Sequence, residues 1–354
     1  MFDKIMLRMR QRHARRRLLT FIYEPASKLQ KGSAEYEKLA TSGRLWEDFF
    51  QPCSSRLMGY VGVQRDLRDM LDEVDRYKTD LPALSLSRYL VPEHAQQSVM
   101  IEDNPMRIGD ACQVFDFLDK ERGLGLGSMI GVTSSELAAM RIPRTEENES
   151  PAKVELKNQI IASQWVADNA AAKRGTAGVS EIEVRDLAAA SIRGTSSEAV
   201  YGLSWGGRVP LGGYRKLPIQ VQSNHLAVFP YPQEVPACVR RFFEWRDAQH
   251  AARELHPLVL ACQMTAYFVH IHPFPDGNGR VSRLIMQDYM ARQGYLPTIF
   301  EDMDRARYLR MISEACEGRP REFVKAVLEA QLVVSLNPGQ KDDDPEYVWD
   351  SVIP

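Results

Sequence analysis

A run of twelve residues, His272 to Arg283, contains the side-chain types needed to hold a phosphate group and to act on it. His272 has a side chain that titrates near neutral pH, as a general base must. The carboxylate of Asp276 is a hard oxygen ligand of the kind that Mg²⁺ takes together with phosphate oxygens. Arg280 and Arg283 are three residues apart, so both guanidinium groups lie on one face of a helical turn and can pair with phosphate. The run therefore predicts a polyphosphate-binding site with a base beside it.

Helical patterns on both sides place this run at the N-terminus of a helix. Residues 257–270 are mostly apolar and begin with proline, which is typical of a buried helix. Residues 279–293 have apolar side chains at helical spacing and end before Gly294, a typical C-cap. The first N–H groups of a helix lack intrahelical acceptors and carry partial positive charge, so they attract anions. Gly277 and Gly279 allow the backbone to turn tightly and to approach the ligand.

The Asp-Gly-Asn-Gly sequence within the run also resembles part of a calcium-binding loop. In such a loop, the residue at the twelfth position is a glutamate that binds the ion with both oxygens. If Gly277 or Gly279 takes the invariant glycine position, the twelfth position falls on Arg283 or Ile285. Neither residue supplies a carboxylate, so the spacing excludes a calcium loop.

The same run matches, residue for residue, the signature H-P-F-x-D/E-G-N-G-R-x-x-R of the Fic family, and the resemblance extends over residues 96–335. Doc-type kinases of the same superfamily typically have Ala-Asn-Lys at positions 277–279, so Gly-Asn-Gly favours transfer of a nucleotide. The resemblance implies a protein adenylyltransferase, which moves AMP from ATP to a serine, threonine or tyrosine hydroxyl of a target protein. His272 would be the general base, and Asp276 would hold Mg²⁺. The residues that would hold the ATP phosphates are Gly277, Asn278, Gly279, Arg280 and Arg283.

A second motif resembles the inhibitory helix that precedes the core in one class of Fic proteins. Residues 98–104 read SVMIEDN, against the family pattern S/T-x-x-x-E-G-N. In the family, the glutamate pairs with the second motif arginine and blocks the productive pose of the ATP γ-phosphate. Ser98 and Glu102 would accordingly be inhibitory residues, with Glu102 competing with phosphate for Arg283. Asp103 departs from the usual glycine of this motif.

Three activities remain open at this site. The first is the transferase held inactive by Glu102. The second is the reverse reaction, deAMPylation, in which Glu102 orients a water molecule that removes AMP from the modified target. The third is a regulator that binds nucleotide without chemistry, and the intact His272 and Asp276 favour an enzyme over it. Without the downstream run, Ser98 and Glu102 would be interpreted as ordinary helix surface.

Residues 212–222 resemble the family's flap, a β-hairpin whose exposed edge holds a segment of the target protein by main-chain pairing. Apolar residues alternate there with proline and glutamine, as in an edge strand that stays open. Ile219, Gln220 and Val221 would bind the target, and Tyr308 resembles a residue on the adenine side of the nucleotide. The expected partners are ATP and a target protein. A homodimer also stays open, because Fic proteins with this inhibitory arrangement are often dimers.

Two further motifs resemble other kinds of active site. Residues 202–206 match G-x-S-x-G, but a serine-hydrolase elbow lies between a strand and a helix, and the following Pro210 disfavours that helix. Residues 123–128 resemble a dinucleotide-binding loop, but Ser128 stands at the position of the third glycine. The segment before this loop is charged rather than an apolar strand. We reject both interpretations.

Composition restricts the remaining function classes. The chain has 354 residues and a net charge of −2, so nothing in its charge balance indicates binding to nucleic acid. Five cysteines at scattered positions form no metal-binding pattern and leave an odd one, as in a reducing compartment. No apolar stretch reaches the ~18 residues of a membrane span, and no secretory signal opens the chain. We therefore expect an intracellular protein, cytoplasmic or nuclear, without a transmembrane segment.

The sequence predicts an all-α fold, a Fic-type helical core with one small β-hairpin. Segments with helical period include 60–76, 163–171, 182–192 and 306–334. The predicted divisions are a basic N-terminal helical segment (1–45), a helical extension (46–95), the Fic domain with its inhibitory helix (96–335) and an acidic tail (336–354).

The first twenty residues contain six arginines, at positions 8, 10, 12, 15, 16 and 17, against one acid, Asp3. Apolar residues would share one face of this segment if it were helical. The pattern is compatible with a mitochondrial presequence, a nuclear localisation signal, a patch that binds anionic lipid, or a solvated basic helix packed on its own domain. The sequence alone leaves these alternatives open.

Overall fold

The structure is a computed structural model that describes residues 28–43, 59–79, 81–123, 128–203, 209–219, 229–300 and 302–336, together with positions 6, 17, 221 and 227. These segments contain fifteen α-helices. Their bounds are α1 Ala34–Ser42, α2 Gly59–Asp66, α3 Arg68–Lys78, α4 Ala83–Tyr89, α5 Val91–Met100, α6 Ile108–Arg122, α7 Ser134–Ala139, α8 Pro151–Ala172, α9 Glu181–Ile192, α10 Glu198–Gly202, α11 Val235–Ala252, α12 Pro257–Ile271, α13 Asn278–Arg292, α14 Arg305–Cys316 and α15 Arg321–Leu336. None of these helices is long and apolar enough to cross a membrane.

The helices confirm the predicted all-α class and correct some of the predicted boundaries. The segment 60–76 forms two helices, α2 and α3, with Leu67 between them. The segment 306–334 is interrupted between α14 and α15, where Gly318 has a φ of 80° and Pro320 follows. A positive φ and a proline both interrupt the helical hydrogen-bond pattern, and apolar periodicity alone does not reveal such a break.

No β-strand occurs in the described parts of the chain. The predicted flap hairpin falls on residues 212–222, of which positions 220 and 222 lie outside the described residues. Residues 213–219 are neither helix nor strand. The hairpin therefore stays a prediction. The basic N-terminal segment and the acidic tail also lie almost wholly outside the described residues.

Helix α8 is the centre of the fold. It begins at an N-cap, Ser150, whose side chain accepts a hydrogen bond from the backbone N–H of Lys153, and Pro151 occupies its first position. From Leu156 to Asp168 the helix is buried on all sides, and even the carboxylate-bearing Asp168 is 0% exposed. Helices α5 and α13 pack against it, and α12 packs against α13. Two of the three helices that carry the sequence motifs, α5 and α13, thus lie directly against one buried helix, and α12 is held through α13.

One hydrophobic cluster runs from Tyr60 in α2 to Ala330 in α15. Within it, α3 packs against α15, and α14 packs against both α12 and α15. The described part of the predicted extension, residues 59–95, therefore belongs to the same core as the motif-bearing helices. Burial of this shared apolar surface is the main force that fixes the relative positions of the two motifs.

Candidate active site

Helix α12 ends at His272, which turns the chain into the motif loop. His272 has φ 51° and ψ 60°, a left-handed conformation, and its N–H donates to the carbonyl of Phe268 at 3.1 Å. This conformation is uncommon outside glycine, so the residue needs support from its surroundings. Arg215 supplies it: its Nε donates to the His272 carbonyl at 2.8 Å, and its backbone N–H donates to the Pro273 carbonyl at 2.9 Å. This role of Arg215 was not predicted from the sequence.

The loop is fixed internally by Phe274 and Asn278. Phe274 is 0% exposed, and its ring lies 5.8 Å from that of Tyr214 and 6.2 Å from that of Phe268. The Asn278 amide makes two bonds to the Phe274 backbone, accepting from its N–H and donating to its carbonyl, both at 2.9 Å. The Asn278 side chain is thus engaged within the loop, which leaves its backbone as the part that could contact a phosphate.

The surroundings of His272 keep its imidazole neutral, so that it can act as a base. Its Nδ1 lies 3.1 Å from the carbonyl of Val269, so Nδ1 carries the hydrogen in the neutral ring and Nε2 keeps its lone pair. Burial, together with the charge of Arg215, lowers the pKa of His272 to about 4. The ring of Phe229 lies 4.6 Å from the imidazole and covers one side of it. At neutral pH the imidazole is therefore unprotonated and able to accept a proton.

Asp276 has one carboxylate oxygen committed to the loop. Its Oδ1 accepts from the N–H of Gly277 at 2.7 Å, and its backbone carbonyl accepts from the hydroxyl of Tyr201 at 2.7 Å. No group of three or more potential ligands for a metal occurs in the described part of the chain. A single carboxylate suits Mg²⁺ that is otherwise held by water and phosphate oxygens, so the donor set fits the predicted cation. Tyr201 was not foreseen from the sequence.

The two motif glycines leave space for different neighbours. Gly277, the N-cap of α13, has a φ of 84°, and a Cβ there would approach Ile192 Cδ1 to 2.9 Å. Gly279 lies inside the first turn of α13, and a Cβ there would collide with Oε1 of Glu102. A carboxylate oxygen therefore occupies the position beside the helix N-terminus where the sequence predicted a phosphate.

Arg283 is held by the second motif. Its Nε donates to Ser98 Oγ at 2.8 Å, and its Nη2 donates to the Ser98 carbonyl at 2.6 Å and to Glu102 Oε1 at 2.8 Å. The ring of Tyr308 lies 5.4 Å from the guanidinium carbon, within the range of a cation–π contact. Tyr308 is only 3% exposed, and its contact with Arg283 was not foreseen. The structure thus brings together Arg283, Ser98 and Glu102 from distant parts of the sequence, and the adenine-side role of Tyr308 stays a prediction.

The turn that carries Glu102 is held by a further arginine. Asp103 takes a left-handed conformation with φ 67°, the conformation for which the family pattern has glycine. Arg305, in the first turn of α14, donates to the Ile101 carbonyl at 3.0 Å and lies 3.1 Å from Asp103 Oδ2 and 3.8 Å from Glu102 Oε2. Burial alone would raise the pKa of Glu102, but Arg283, with smaller effects from neighbouring arginines, lowers it below the usual value. Glu102 is therefore an anion at neutral pH.

The first motif arginine has a carboxylate partner of its own. Arg280 is 3% exposed, and its Nη1 donates to Glu155 Oε1 at 2.5 Å. The other oxygen of Glu155 accepts from Asn104 Nδ2 at 2.8 Å. Glu155 lies in α8 and was not foreseen as a site residue, since its only sequence signal is a charge at the start of a buried helix.

The residues predicted to bind the target are only partly described in the structure. Ile219 and Val221 are both partly buried, and Gln220 lies outside the described residues. Of the rejected motifs, Gly202 ends helix α10 rather than a strand, and Ser204 lies outside the described residues. A helix before the glycine differs from the strand that a hydrolase elbow requires.

Part of this chain is similar in sequence to known proteins. Residues 179–290 match the family model described as the Fic/DOC family. Over 118 residues the chain is 36% identical to the protein adenylyltransferase Fic of Drosophila virilis, covering 33% of this chain and 24% of the relative. The relative of the same description from Drosophila melanogaster is 38% identical over 118 residues, covering 33% of this chain and 23% of the relative. The matching segment thus spans about a quarter of the length of these curated relatives.

Solved structures extend the likeness to most of the chain. The Fic-1 protein from C. elegans superimposes with a TM-score of 0.55 at 18% identity, covering 94% of this chain and 96% of that chain. A Fic domain containing signaling protein from Bacteroides thetaiotaomicron gives a TM-score of 0.55 at 16% identity, covering 77% of this chain and 100% of that chain. At these identities the likeness shows the fold, and the helical core has the fold of these proteins.

Proposed function

We propose that this chain, whose residues 179–290 match the Fic/DOC family model, is a protein adenylyltransferase that moves AMP from ATP to a target hydroxyl and is restrained by Glu102. The observation that carries this proposal is the juxtaposition at the α13 N-terminus. A neutral His272 stands at the end of α12, and Arg283 is paired with Glu102 at 2.8 Å. A base beside an anion-binding helix end is what transfer of a phosphorus-containing group to a hydroxyl requires.

In the proposed reaction, Nε2 of His272 accepts the proton of the target hydroxyl. The hydroxyl oxygen forms a bond to the α-phosphorus of ATP, and the bond from that phosphorus to the bridging oxygen breaks, so pyrophosphate leaves with the bonding electrons. General base assistance of this kind contributes typically ~10²- to 10⁴-fold to the rate. The negative charge of bound ATP would raise the pKa of His272 from about 4 toward neutrality, because nearby anions favour the protonated imidazole.

The remaining site residues bind and orient the nucleotide. The N–H groups at the start of α13 and the two motif arginines would hold the phosphates, while Asp276 would hold Mg²⁺. Bound Mg²⁺ supplies neutralisation of charge on the phosphate oxygens and the leaving group. Most of the rate gain in such chemistry comes from positioning and electrostatic stabilisation, which this rigid loop is built to provide. We also propose that Tyr308 lies toward the adenine end.

Glu102 would restrain the transferase because its carboxylate occupies the space that a phosphate oxygen of ATP needs. Its Oε1 fills the position beside Gly279 and pairs with Arg283 Nη2. A phosphate oxygen cannot take that position or that donor while the carboxylate is present. We therefore propose that the resting protein binds ATP without a productive γ-phosphate pose and has low transferase activity.

A second activity, removal of AMP from the modified target, is favoured by the state of Glu102. Its lowered pKa makes it an anion, and its side chain is still 28% exposed. An accessible carboxylate beside the phosphate position could orient a water molecule toward the phosphorus of an AMP-modified hydroxyl. Transfer and removal would then need Glu102 in different places, withdrawn for the first and present for the second.

The target protein would dock on the flap through Ile219, Gln220 and Val221, whose backbone groups would pair with an extended segment of the target. A homodimer is compatible with this proposal, since the flap pairing needs one chain only. Main-chain pairing tolerates many target sequences, so the target is best found by labelling and mass spectrometry of the modified protein.

The decisive experiment compares incorporation of label from α-³²P ATP with Mg²⁺ by three proteins: the wild-type chain, Glu102→Gly, and Glu102→Gly with His272→Ala. We expect weak labelling by the first, strong labelling of itself or of lysate proteins by the second, and none by the third. No labelling by Glu102→Gly would refute the transferase, and labelling that persists without His272 would refute the mechanism. Release of AMP from a labelled target by the wild-type chain but not by Glu102→Gln would establish the reverse activity.

A further inference from the structure

The two motif arginines are held by two different carboxylates. Arg283 pairs with Glu102 on the inhibitory turn, whereas Arg280 pairs with Glu155 on the buried helix α8. The other end of the Arg280 guanidinium faces the motif loop, because a Cβ built on Gly277 would lie 3.8 Å from its Nη2. One edge of the guanidinium is thus anchored to Glu155, and the other lies beside Gly277 in the turn that starts α13, where the proposed function has the phosphates bind.

Glu155 is itself fixed from two sides. Its Oε1 accepts from Arg280, and its Oε2 accepts from Asn104 Nδ2 at 2.8 Å. Asn104 is anchored in turn, since Nδ2 also donates to the Ala152 carbonyl at 3.0 Å and Oδ1 accepts from the N–H of Met106 at 3.0 Å. The carboxylate therefore has little freedom, and its position is set jointly by α8 and by a residue two positions after Glu102.

We propose that Glu155 is the positioning residue for Arg280, and that Asn104 ties this carboxylate to the turn that carries Glu102. This inference rests on the proposed function, in which Arg280 binds the ATP phosphates. A carboxylate that grips one edge of a guanidinium leaves the other edge in a defined plane, which suits paired donation to phosphate oxygens. The residue acts through Arg280 and does not touch the reacting atoms.

The contact by which Glu155 orients Arg280 should favour AMP transfer, whereas the negative charge of Glu155 should weaken ATP binding. Substitutions that remove one or both of these features can therefore distinguish them. Glu155 orients Arg280, which favours the transition state, but its negative charge also offsets the attraction of Arg280 for phosphate. Glu155→Gln keeps one oxygen that can accept from Arg280, loses the second acceptor that Asn104 uses, and removes the charge. Glu155→Ala removes both, and it leaves the buried Arg280 without the carboxylate that oriented it.

The experiment uses the full chain in the Glu102→Gly background. For Glu155→Ala we expect kcat for AMP transfer to fall by about tenfold or more, because a misplaced guanidinium loses its effect on the transition state. For Glu155→Gln we expect kcat within about threefold of the parent, with the Kd for ATP·Mg²⁺ tightened by about threefold to tenfold, because a negative charge near the phosphates is gone. Calorimetric titration gives the Kd without any need for turnover.

A matched control is available in the turn just before the same helix. The side chain of Glu149 is 4% exposed and pairs with Lys157 of α8. Lys157 lies two positions after Glu155, so the two side chains are about 200° apart around the helix. Glu149→Gln makes the same change in charge and also disturbs a buried ion pair. We expect it to lower the melting temperature and to leave the Kd for ATP·Mg²⁺ and kcat unchanged.

Two results would overturn the proposal: an unchanged kcat in Glu155→Ala, or a Kd in Glu155→Gln equal to that in Glu149→Gln. Failure of the proposed function has a different signature, because the Glu102→Gly parent itself would then incorporate no AMP. In that case the ATP titrations of Glu155→Gln and Glu149→Gln still decide whether Glu155 acts on the nucleotide site.

Discussion

Gly279→Ala is the substitution that best tests whether Glu102 and phosphate compete for one position. No positive φ is present at Gly279, which lies inside α13, so alanine is compatible with the backbone there. The added methyl group would collide with Glu102 Oε1 and lie 3.3 Å from Arg283 Nη1. The carboxylate therefore has to leave its position, while the backbone of α13 stays as it is.

The expected change in stability follows from the contact that is lost. The Arg283–Glu102 pair has an N–O distance of 2.8 Å, and a hydrogen bond to a charged group contributes about 1.5–3 kcal/mol. Replacing glycine by alanine in a helix returns about 1 kcal/mol. The net loss is about 0.5–2 kcal/mol, which corresponds to a melting temperature lower by roughly 1–5 °C.

The expected change in activity separates Gly279→Ala from Glu102→Gly, although both break the same pair. Removing Glu102 removes a competing interaction with Arg283 that contributes about 1.5–3 kcal/mol. The initial rate of AMP incorporation should therefore rise by about 10- to 150-fold. Gly279→Ala leaves a methyl group where the phosphate oxygen must lie, so labelling stays at the resting level. In the Glu102→Gly background, adding Gly279→Ala should lower kcat/KM by about tenfold or more.

The assay is the initial rate of AMP incorporation from labelled ATP, measured beside thermal unfolding of the same preparations. Strong labelling by Gly279→Ala alone would refute the reasoning, because it would mean that the nucleotide does not use the space beside Gly279. An unchanged melting temperature with no labelling would instead show that Glu102 adapts without losing Arg283.

Three further predictions follow from other contacts. Arg305→Ala removes the cation 3.1 Å from Asp103 and 3.8 Å from Glu102, so the initial rate of labelling by the otherwise wild-type chain should rise about threefold to tenfold while that of Glu102→Gly stays the same. Tyr201→Phe removes the 2.7 Å bond to the Asp276 carbonyl and should lower kcat in the Glu102→Gly background by about fivefold, with the melting temperature as control. His94 and His272 both have a pKa lowered to about 4, chiefly by burial, so the unfolded chain binds protons that the native chain does not between pH 6.5 and 4. Stability in urea titrations should therefore fall as pH falls through that window, and His94→Gln should flatten the dependence; a flat profile in the parent would contradict the pKa directions.

The site residues that the sequence predicted are those whose roles depend on local geometry. His272, Asp276, Gly277 and Gly279 lie in one loop, so their order along the chain already fixes a helix end, a turn and a helix start. The link between Glu102 and Arg283 was also predicted, but only through resemblance to a family pattern. Nothing in the spacing of residues 181 positions apart indicates contact.

The missed residues depend on packing between helices. Glu155 reaches Arg280 because α8 crosses α13, and Tyr201 reaches Asp276 from a short helix 75 positions earlier. Periodicity identifies which face of a helix is buried but not which helix lies against it. The broken helix at Leu67 was missed for a related reason, since apolar spacing continues across the break.

The contacts of Arg283 bear on how ATP would enter the proposed site. Ser98 holds two of its nitrogens and the Tyr308 ring lies against its guanidinium, and neither contact depends on Glu102. The arginine can therefore stay still while its anionic partner is exchanged, and we expect the slow event to be the opening of the turn at Glu102. In stopped-flow mixing, the observed rate of productive ATP association by the wild-type chain should level off with rising ATP at the opening rate of that turn, whereas in Glu102→Gly it should keep rising in proportion to ATP.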